Sequence, residues 1–244
     1  MKPKSEKNVF ELRVPACAVI EKMIYSPKHG FVAATMNCDG NQLTFFRTDF
    51  LTLERVAWDC NEVLTGRGFH EEISEGILEA ITKNGGFFIS RNLLSVSNDG
   101  KAVSSGNEPA SKMLYTEAEE LSKSLNIPEL ESDIPFGAIY DTLGNWFIQT
   151  GAITEKEWIW SPESKEEQQM LMNRDCGGWN LADLIDDIFA TEWTKESFLE
   201  NSHITREGVP FSDGEANYPA RKRYIYSEEF RHPKAKVRAF LYFK

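Results

Sequence analysis

The stretch Phe31–Phe46, FVAATMNCDGNQLTFF, decides how the first part of this chain folds. Two runs of strand-forming apolar residues flank Asp39-Gly40, and an Asp-Gly pair tolerates the positive φ angles of a type I′ turn. The stretch therefore predicts a β-hairpin. Similar short apolar runs recur from Phe10 to Trp58 with turn-forming residues between them, so the hairpin is predicted to belong to an antiparallel meander.

Helical patterns follow the meander. Apolar residues recur at helical spacing over 70–82 and Asn84-Gly85-Gly86 ends the pattern, so a first helix is predicted there. Three further helix starts are predicted: a capping box at 116–119, a serine before a proline at 161–162 and an asparagine at 180. The helix that begins after Asn180 is predicted to reach Phe189, because its apolar residues share one face.

Strands are predicted after the first helix as well. Asn98-Asp99-Gly100 indicates the turn of a second hairpin, and residues 138–148 indicate a third one with Leu143-Gly144-Asn145 as its turn. Residues 157–160 indicate a short strand. Two closing strands are predicted at 223–226 and 237–243. The predicted fold class is α+β, with a mainly antiparallel sheet built from hairpins and with helices concentrated in the second half.

Composition places the chain among globular proteins. It has 244 residues, of which 41% are hydrophobic and 12% aromatic, which is enough for a substantial core and excludes disordered and fibrous classes. The polar stretch 101–111 is predicted to be a loop or a linker. Two organisations stay open: a β-rich part over 1–100 followed by a mixed α/β part over 112–244, or one continuous domain.

A soluble, cytoplasmic protein without cofactors is predicted. No apolar run approaches the roughly 20 residues of a membrane span, and the polar segment Met1–Lys7 has no hydrophobic stretch behind it. The glycine-rich segments do not continue into a nucleotide-binding motif and the four histidines are isolated, so neither a cofactor nor a metal is expected. The cysteines lack the close spacing of a zinc or redox pair and are expected to stay reduced. They are Cys17, Cys38, Cys60 and Cys176.

Acidic residues and tryptophans are concentrated in one segment. Residues 129–200 contain 16 acidic and four basic residues, together with five of the six tryptophans. Because tryptophans anchor interfaces and carboxylates steer basic partners, the segment predicts an outward-facing acidic surface that binds a basic protein. The chain would then be a macromolecular binding protein of the inhibitor, adaptor or immunity type. The alternative is a solvated acidic skin over an aromatic core. The predicted binding residues are Trp158, Trp160, Trp179, Asp183, Asp186, Asp187 and Trp193.

A second hypothesis is a hydrolase with Cys176 as its nucleophile. This thiol precedes the helix predicted after Asn180, and a helix N-terminus lowers the pKa of a nearby cysteine. Either His203 or His70 could act as the base. A structural role is the alternative, because Gly177-Gly178 also suits a tight connection between helices.

A third hypothesis is a nucleic-acid binder that uses the C-terminal segment. Residues 221–244 contain eight basic residues interleaved with aromatic ones, a mixture that can neutralise and stack a single strand. The alternation over 237–243 is also typical of a half-buried strand whose bases pair with the acidic segment, and this alternative is favoured because the rest of the chain repels phosphate. The residues assigned to nucleic-acid binding are Arg221, Lys222, Arg223, Tyr224 and Tyr226.

Overall fold

The structure, a computed structural model, describes residues 10–51, 73–159, 164–197, 202–206, 223–227 and 229–244. The described strands are β1 (Ala18–Ser26), β2 (Gly30–Cys38), β3 (Asn41–Arg47), β4 (Gly86–Ser90), β5 (Ser95–Val96), β6 (Ala102–Val103), β7 (Leu130–Asp133), β8 (Glu192–Ser197), β9 (Ser202–Arg206), β10 (Arg223–Ser227) and β11 (Phe240–Phe243). The described helices are α1 (Glu75–Asn84), α2 (Tyr115–Lys123), α3 (Gly137–Thr150), α4 (Glu155–Ile159), α5 (Lys165–Met172) and α6 (Leu181–Leu184). Several predicted features lie outside the described residues: the run that ends at Trp58, the helix start at 161–162, and the residues Cys60, His70, Trp160, Arg221 and Lys222.

Antiparallel pairing builds the sheets, which confirms the α+β class. The main sheet has six strands in the order β1-β2-β3-β4-β11-β7, so it takes strands from both halves of the chain. A three-stranded sheet has the order β10-β9-β8, and β5 pairs with β6. Asp39 and Gly40, with φ angles of 52° and 86°, form the predicted turn between β2 and β3. Both positive angles are those that a type I′ turn requires.

Residues 138–148 form a helix, so the predicted third hairpin is wrong. Almost every residue of α3 from Gly137 to Phe147 is buried, which removes the polar stripe by which a surface helix is recognised. Gly144 lies inside the helix because the Trp158 ring packs on it: a Cβ there would sit 2.1 Å from the Trp158 Cε2 atom. The strand predicted at 157–160 is also wrong, since its residues to Ile159 belong to α4.

Tertiary contacts shorten the helix after Asn180. As predicted, Asn180 caps α6 by accepting a hydrogen bond from the Asp183 N–H at 2.9 Å. The helix nevertheless ends at Leu184 instead of reaching Phe189. The Asp186 N–H donates to the Arg91 carbonyl at 2.8 Å, and the Arg238 guanidinium binds the carbonyl of Asp186. These bonds take the backbone groups that a longer helix would have used.

Two apolar clusters occupy the two faces of the main sheet. Alternation along β2 divides its side chains between them, so that Ala33 belongs to the first cluster and Ala34 to the second. Helices α3 and α6 cover the first cluster, which contains Trp146 and Leu184. Helix α2 and the segment that leads into β11 cover the second.

Candidate functional site

The tryptophans of the acidic segment lie inside the molecule. Trp146, Trp158 and Trp179 are at most 4% exposed and belong to the first cluster, where the Trp146 and Trp179 ring centroids are 5.8 Å apart. Trp193 is fully buried in the second cluster and donates its indole N–H to the Met113 carbonyl. The expectation that these indoles face outward is therefore wrong for the four described ones.

The predicted acidic residues differ in their surroundings. Asp183 accepts hydrogen bonds from the Lys22 ammonium at 2.7 Å and from the Asn180 N–H at 3.0 Å. Burial alone would raise the pKa of Asp183, but these hydrogen bonds lower it overall. The side chains of Asp186 and Asp187 are exposed, while their carbonyls bind Arg238. The predicted acidic surface thus retains Asp186 and Asp187, without the tryptophans.

Three further charged side chains of the chain form a buried polar network. Glu192, Arg206 and Arg238 are all fully buried, and the Glu192 carboxylate binds the guanidinium groups of Arg206 at 3.1 Å and Arg238 at 3.2 Å. Tyr140 donates to Glu192 at 2.5 Å, and both burial and this carboxylate raise the pKa of Tyr140 well above its usual value. Arg238 is one of the eight basic residues of the C-terminal segment. Its pairing with Glu192 supports the alternative that the C-terminal bases neutralise acids of the same chain.

The surroundings of Cys176 disfavour a thiolate. Cys176 donates to the Arg174 carbonyl at 3.4 Å, and burial raises the pKa of its thiol despite the charge of Arg174 nearby. Cys176 packs against the first cluster, whereas the His203 ring stacks at 3.5 Å on Tyr115, a member of the second. The hydrolase stays a prediction that these contacts do not favour.

The basic C-terminal segment is partly engaged in contacts within the chain. Arg231 binds the Glu117 carboxylate through two hydrogen bonds of 2.7 Å. Tyr226 is half-buried and stacks on Phe230, with the ring centroids 4.8 Å apart. Arg223 and Tyr224 belong to β10. Nucleic-acid binding also stays a prediction.

One cavity of about 670 Å³ opens between the segment that precedes β1 and the C-terminal end of α1. Its wall contains Arg47, whose guanidinium binds the Asp49 carboxylate through two hydrogen bonds and lies 4.5 Å from the centroid of the Phe10 ring. The arginine charge is therefore already matched by Asp49. The cavity volume would suit a small molecule, but its polar groups do not point to one ligand chemistry.

Strand β1 carries the most unusual surface of the described residues. Among all described residues, seven large apolar side chains are exposed, and four of them lie in this single strand of nine residues. Among the described strands, β1 pairs with β2 alone and forms one edge of the main sheet. The four side chains are Val19, Ile20, Met23 and Tyr25.

The two charged side chains of β1 lie on the face of the sheet that α6 covers. The Lys22 ammonium lies 2.7 Å from the Asp183 carboxylate, and the Glu21 carboxylate lies 3.9 Å from the Arg91 guanidinium. Each charge of the strand is thus matched within the chain. Sequence reasoning missed this surface, because an apolar strand inside a sheet and one at its edge have similar sequences. The sole local signal was the short run AVIEKMIYS itself.

Comparison with known proteins adds no functional information: no family model, curated protein or solved structure matches this chain. No helix within the described ranges is long and apolar enough to cross a membrane. Over the same ranges, acidic, histidine and cysteine side chains do not gather in threes as a metal site requires. Among the described residues, the exposed apolar side chains of the edge strand β1 are therefore the feature that points to a function.

Proposed function

We propose that this chain is a protein-binding protein that docks an extended polypeptide segment along the edge of β1. The observation that carries the proposal is the concentration, in this edge strand, of four of the seven large apolar side chains that are exposed among the described residues. Contiguous apolar surface is characteristic of interaction sites. An edge strand also offers backbone N–H and C=O groups, which add a further strand through main-chain hydrogen bonds.

Three of the exposed side chains share one face of the sheet. In the β1–β2 register Ile20 lies opposite Met36, and Met23 lies opposite Ala34. Tyr25 lies opposite Phe31, with the ring centroids 6.0 Å apart. Residues opposite each other in an antiparallel pair point to the same face. A docked segment would therefore meet an apolar strip and should carry apolar residues at every second position.

The charges near the edge are balanced within the chain. Glu21 and Lys22 face Arg91 and Asp183, so the edge presents no excess of acidic charge to a docking segment. The proposal keeps the predicted class of inhibitor, adaptor or immunity-type protein. It moves the binding surface from the tryptophans to β1, where a basic partner is not required.

The test selects binding peptides from a displayed random library against the wild-type chain at low protein concentration. We expect the selected peptides to alternate apolar and polar residues and to slow hydrogen exchange of the β1 amides. Ile20→Lys and Tyr25→Lys should each weaken binding by about tenfold or more, since a charge then enters the apolar strip. Met170→Lys is the matched control, because Met170 is an exposed apolar residue on α5.

Two results would overturn the proposal. One is a selection that yields no peptide binding the wild-type chain. The other is a set of peptides that bind the Ile20→Lys variant as tightly as the wild type, or that protect a segment other than β1 from exchange.

A further inference from the structure

The partner of β1 can be specified further, on the premise that the proposed function holds. We infer that β1 pairs with β1 of a second copy of this chain, antiparallel, about a twofold axis that passes between Glu21 and Lys22. The main sheet of one copy would then continue into that of the other. Such an interface uses the same surface twice and must be self-complementary.

Strand β1 contains an irregularity in its pairing with β2. Along the β1–β2 pairing, Ile20 lies opposite Met36 and Lys22 lies opposite Thr35, so Glu21 is an extra residue in β1. Such a β-bulge sets two residues of one strand against one of its neighbour. Glu21 and Lys22 consequently point to the same face of the sheet, the one that α6 covers. Lys22 contacts Asp183 of α6, and Glu21 contacts Arg91, whose guanidinium donates to the Ala182 carbonyl of α6 at 3.4 Å.

The bulge restricts which strand fits the free edge. A regular strand added to β1 would be one residue short at Glu21, as β2 already is, and would leave that residue without an opposite neighbour. A neighbouring strand that has an extra residue at the corresponding position would instead place two residues opposite Glu21 and Lys22 of β1. An antiparallel second copy of β1, centred between Glu21 and Lys22, has its extra residue there.

The same register also pairs side chains that point to the same face of the sheet. Ile20 would lie opposite Met23 of the second copy, and both point to the face of the second cluster, because β2 places them opposite Met36 and Ala34. In a regular strand, residues three apart point to opposite faces and this register would be impossible. The bulge thus makes β1 compatible with its own copy.

The charges agree with this register. Glu21 of each copy would lie opposite Lys22 of the other, which gives two opposite-charge pairs about the axis. Lys22 would then contact both Asp183 of its own chain and Glu21 of the second copy. Since the chain carries a net charge of −11, the two copies repel at long range, and this repulsion is screened beyond about 8 Å at physiological salt.

The test measures mass by light scattering after size exclusion, at physiological salt and over a concentration series. We expect the wild type, whose monomer has a mass of 27.8 kDa, to form a dimer as the concentration rises. Glu21→Lys and Lys22→Glu each place like charges opposite each other, so each alone should weaken the dimer by about tenfold or more. An equimolar mixture of the two variants restores opposite charges across the axis and should regain the dimer.

Met170→Lys is the control variant and should dimerise like the wild type, because Met170 lies on α5 and not on β1. Circular dichroism shows whether each charge variant is folded. If either is not, hydrogen exchange of the wild type decides instead: protection of the β1 amides should increase with protein concentration.

A wild type that stays monomeric at every concentration overturns the inference, as does a dimer that neither charge substitution weakens. A mixture that does not regain the dimer overturns the register. The proposed function is judged separately: a monomer that still binds selected peptides along β1 retains it, with a different polypeptide as the occupant.

Discussion

Two apolar regions at the main sheet have opposite exposure: the edge strand β1, and the buried rings of Trp146, Trp158 and Trp179, which we call the tryptophan layer. Trp146 lies on α3 and packs against Phe46 of β3 with ring centroids 5.1 Å apart, and it is fully buried because α3 lies over this part of the sheet. Tyr25, on β1, is 56% exposed. Both regions are rich in large apolar side chains. The difference teaches that such residues indicate a binding surface only where the fold leaves them uncovered.

The opposite edge of the same sheet sharpens the contrast. Strand β7 has four residues, against nine in β1. Its Asp133 carboxylate binds the Lys195 ammonium, and its Glu131 carboxylate accepts a hydrogen bond from the Tyr242 hydroxyl at 3.0 Å. Short length and charged side chains are the usual protection of a sheet edge against pairing. Strand β1 is longer, and its charged side chains Glu21 and Lys22 lie on the face opposite to its apolar strip.

The largest effect should come from the tryptophan layer. We expect Trp146→Ala to lower the free energy of unfolding by about 3–5 kcal/mol, since it opens a cavity and removes the hydrogen bond to the Val32 carbonyl. Urea denaturation followed by circular dichroism measures this loss. Met170→Ala, at an exposed site, should change stability by less than about 0.5 kcal/mol. Equal effects of the two substitutions would contradict the burial of Trp146.

A pair of helix glycines tests how closely the layer is packed. Gly144→Ala places a methyl group against the Trp158 ring and should cost about 1–3 kcal/mol of stability. Gly76→Ala, in the exposed first turn of α1 with no atom within 4 Å of the new Cβ, should instead stabilise by about 0.4–1 kcal/mol. Thermal unfolding of the two variants should therefore shift in opposite directions.

The acidic residues around the tryptophan layer should contribute less to stability than the packing of its rings does. The hydrogen bond from Arg174 lowers the pKa of Glu157 to about 2, so the carboxylate stabilises the fold above pH 4.5, and this contribution is lost as the pH falls from 4.5 to 2. Because both partners are partly exposed, Glu157→Gln should cost at most about 1 kcal/mol at neutral pH. The difference from the wild type should shrink towards zero near pH 2 in urea titrations. Glu155→Gln, an exposed site on the same helix, is the control.

The smallest effect on stability should come from β1. At concentrations where the chain is monomeric, Tyr25→Lys should change the free energy of unfolding by less than about 0.5 kcal/mol, because Tyr25 is largely solvated. The same variant should lose peptide binding. A large loss of stability would instead place Tyr25 in the core and remove the contrast between the two regions.

Much of the fold followed from local signals. The Asp39-Gly40 turn and the Asn180 cap depend on φ preferences and on hydrogen bonds within a few residues, and both form as predicted. The error at α3 has an equally physical cause. A helix buried on nearly every side shows no polar stripe, and Gly144 resembles a turn residue until the Trp158 ring is placed against it.

The candidate site was less accessible to sequence reasoning. The acidic segment and its tryptophans were conspicuous in composition, but the buried network of Glu192 with Arg238 joins residues 46 positions apart, and no local pattern announces such a pair. The exposure of β1 likewise depends on which strand ends the sheet.

By itself the sequence determined the β2–β3 hairpin, the antiparallel α+β class and the amount of apolar surface to be buried, because turn chemistry and side-chain periodicity act within a few residues. Tertiary structure alone decided which apolar residues were covered. Helix α3 packs against the sheet and so buries its own Trp146, while β1 occupies the edge of the sheet and keeps Tyr25 in solvent. Burial is a property of the neighbours that long-range packing supplies, so it cannot be assigned from a residue and its local sequence.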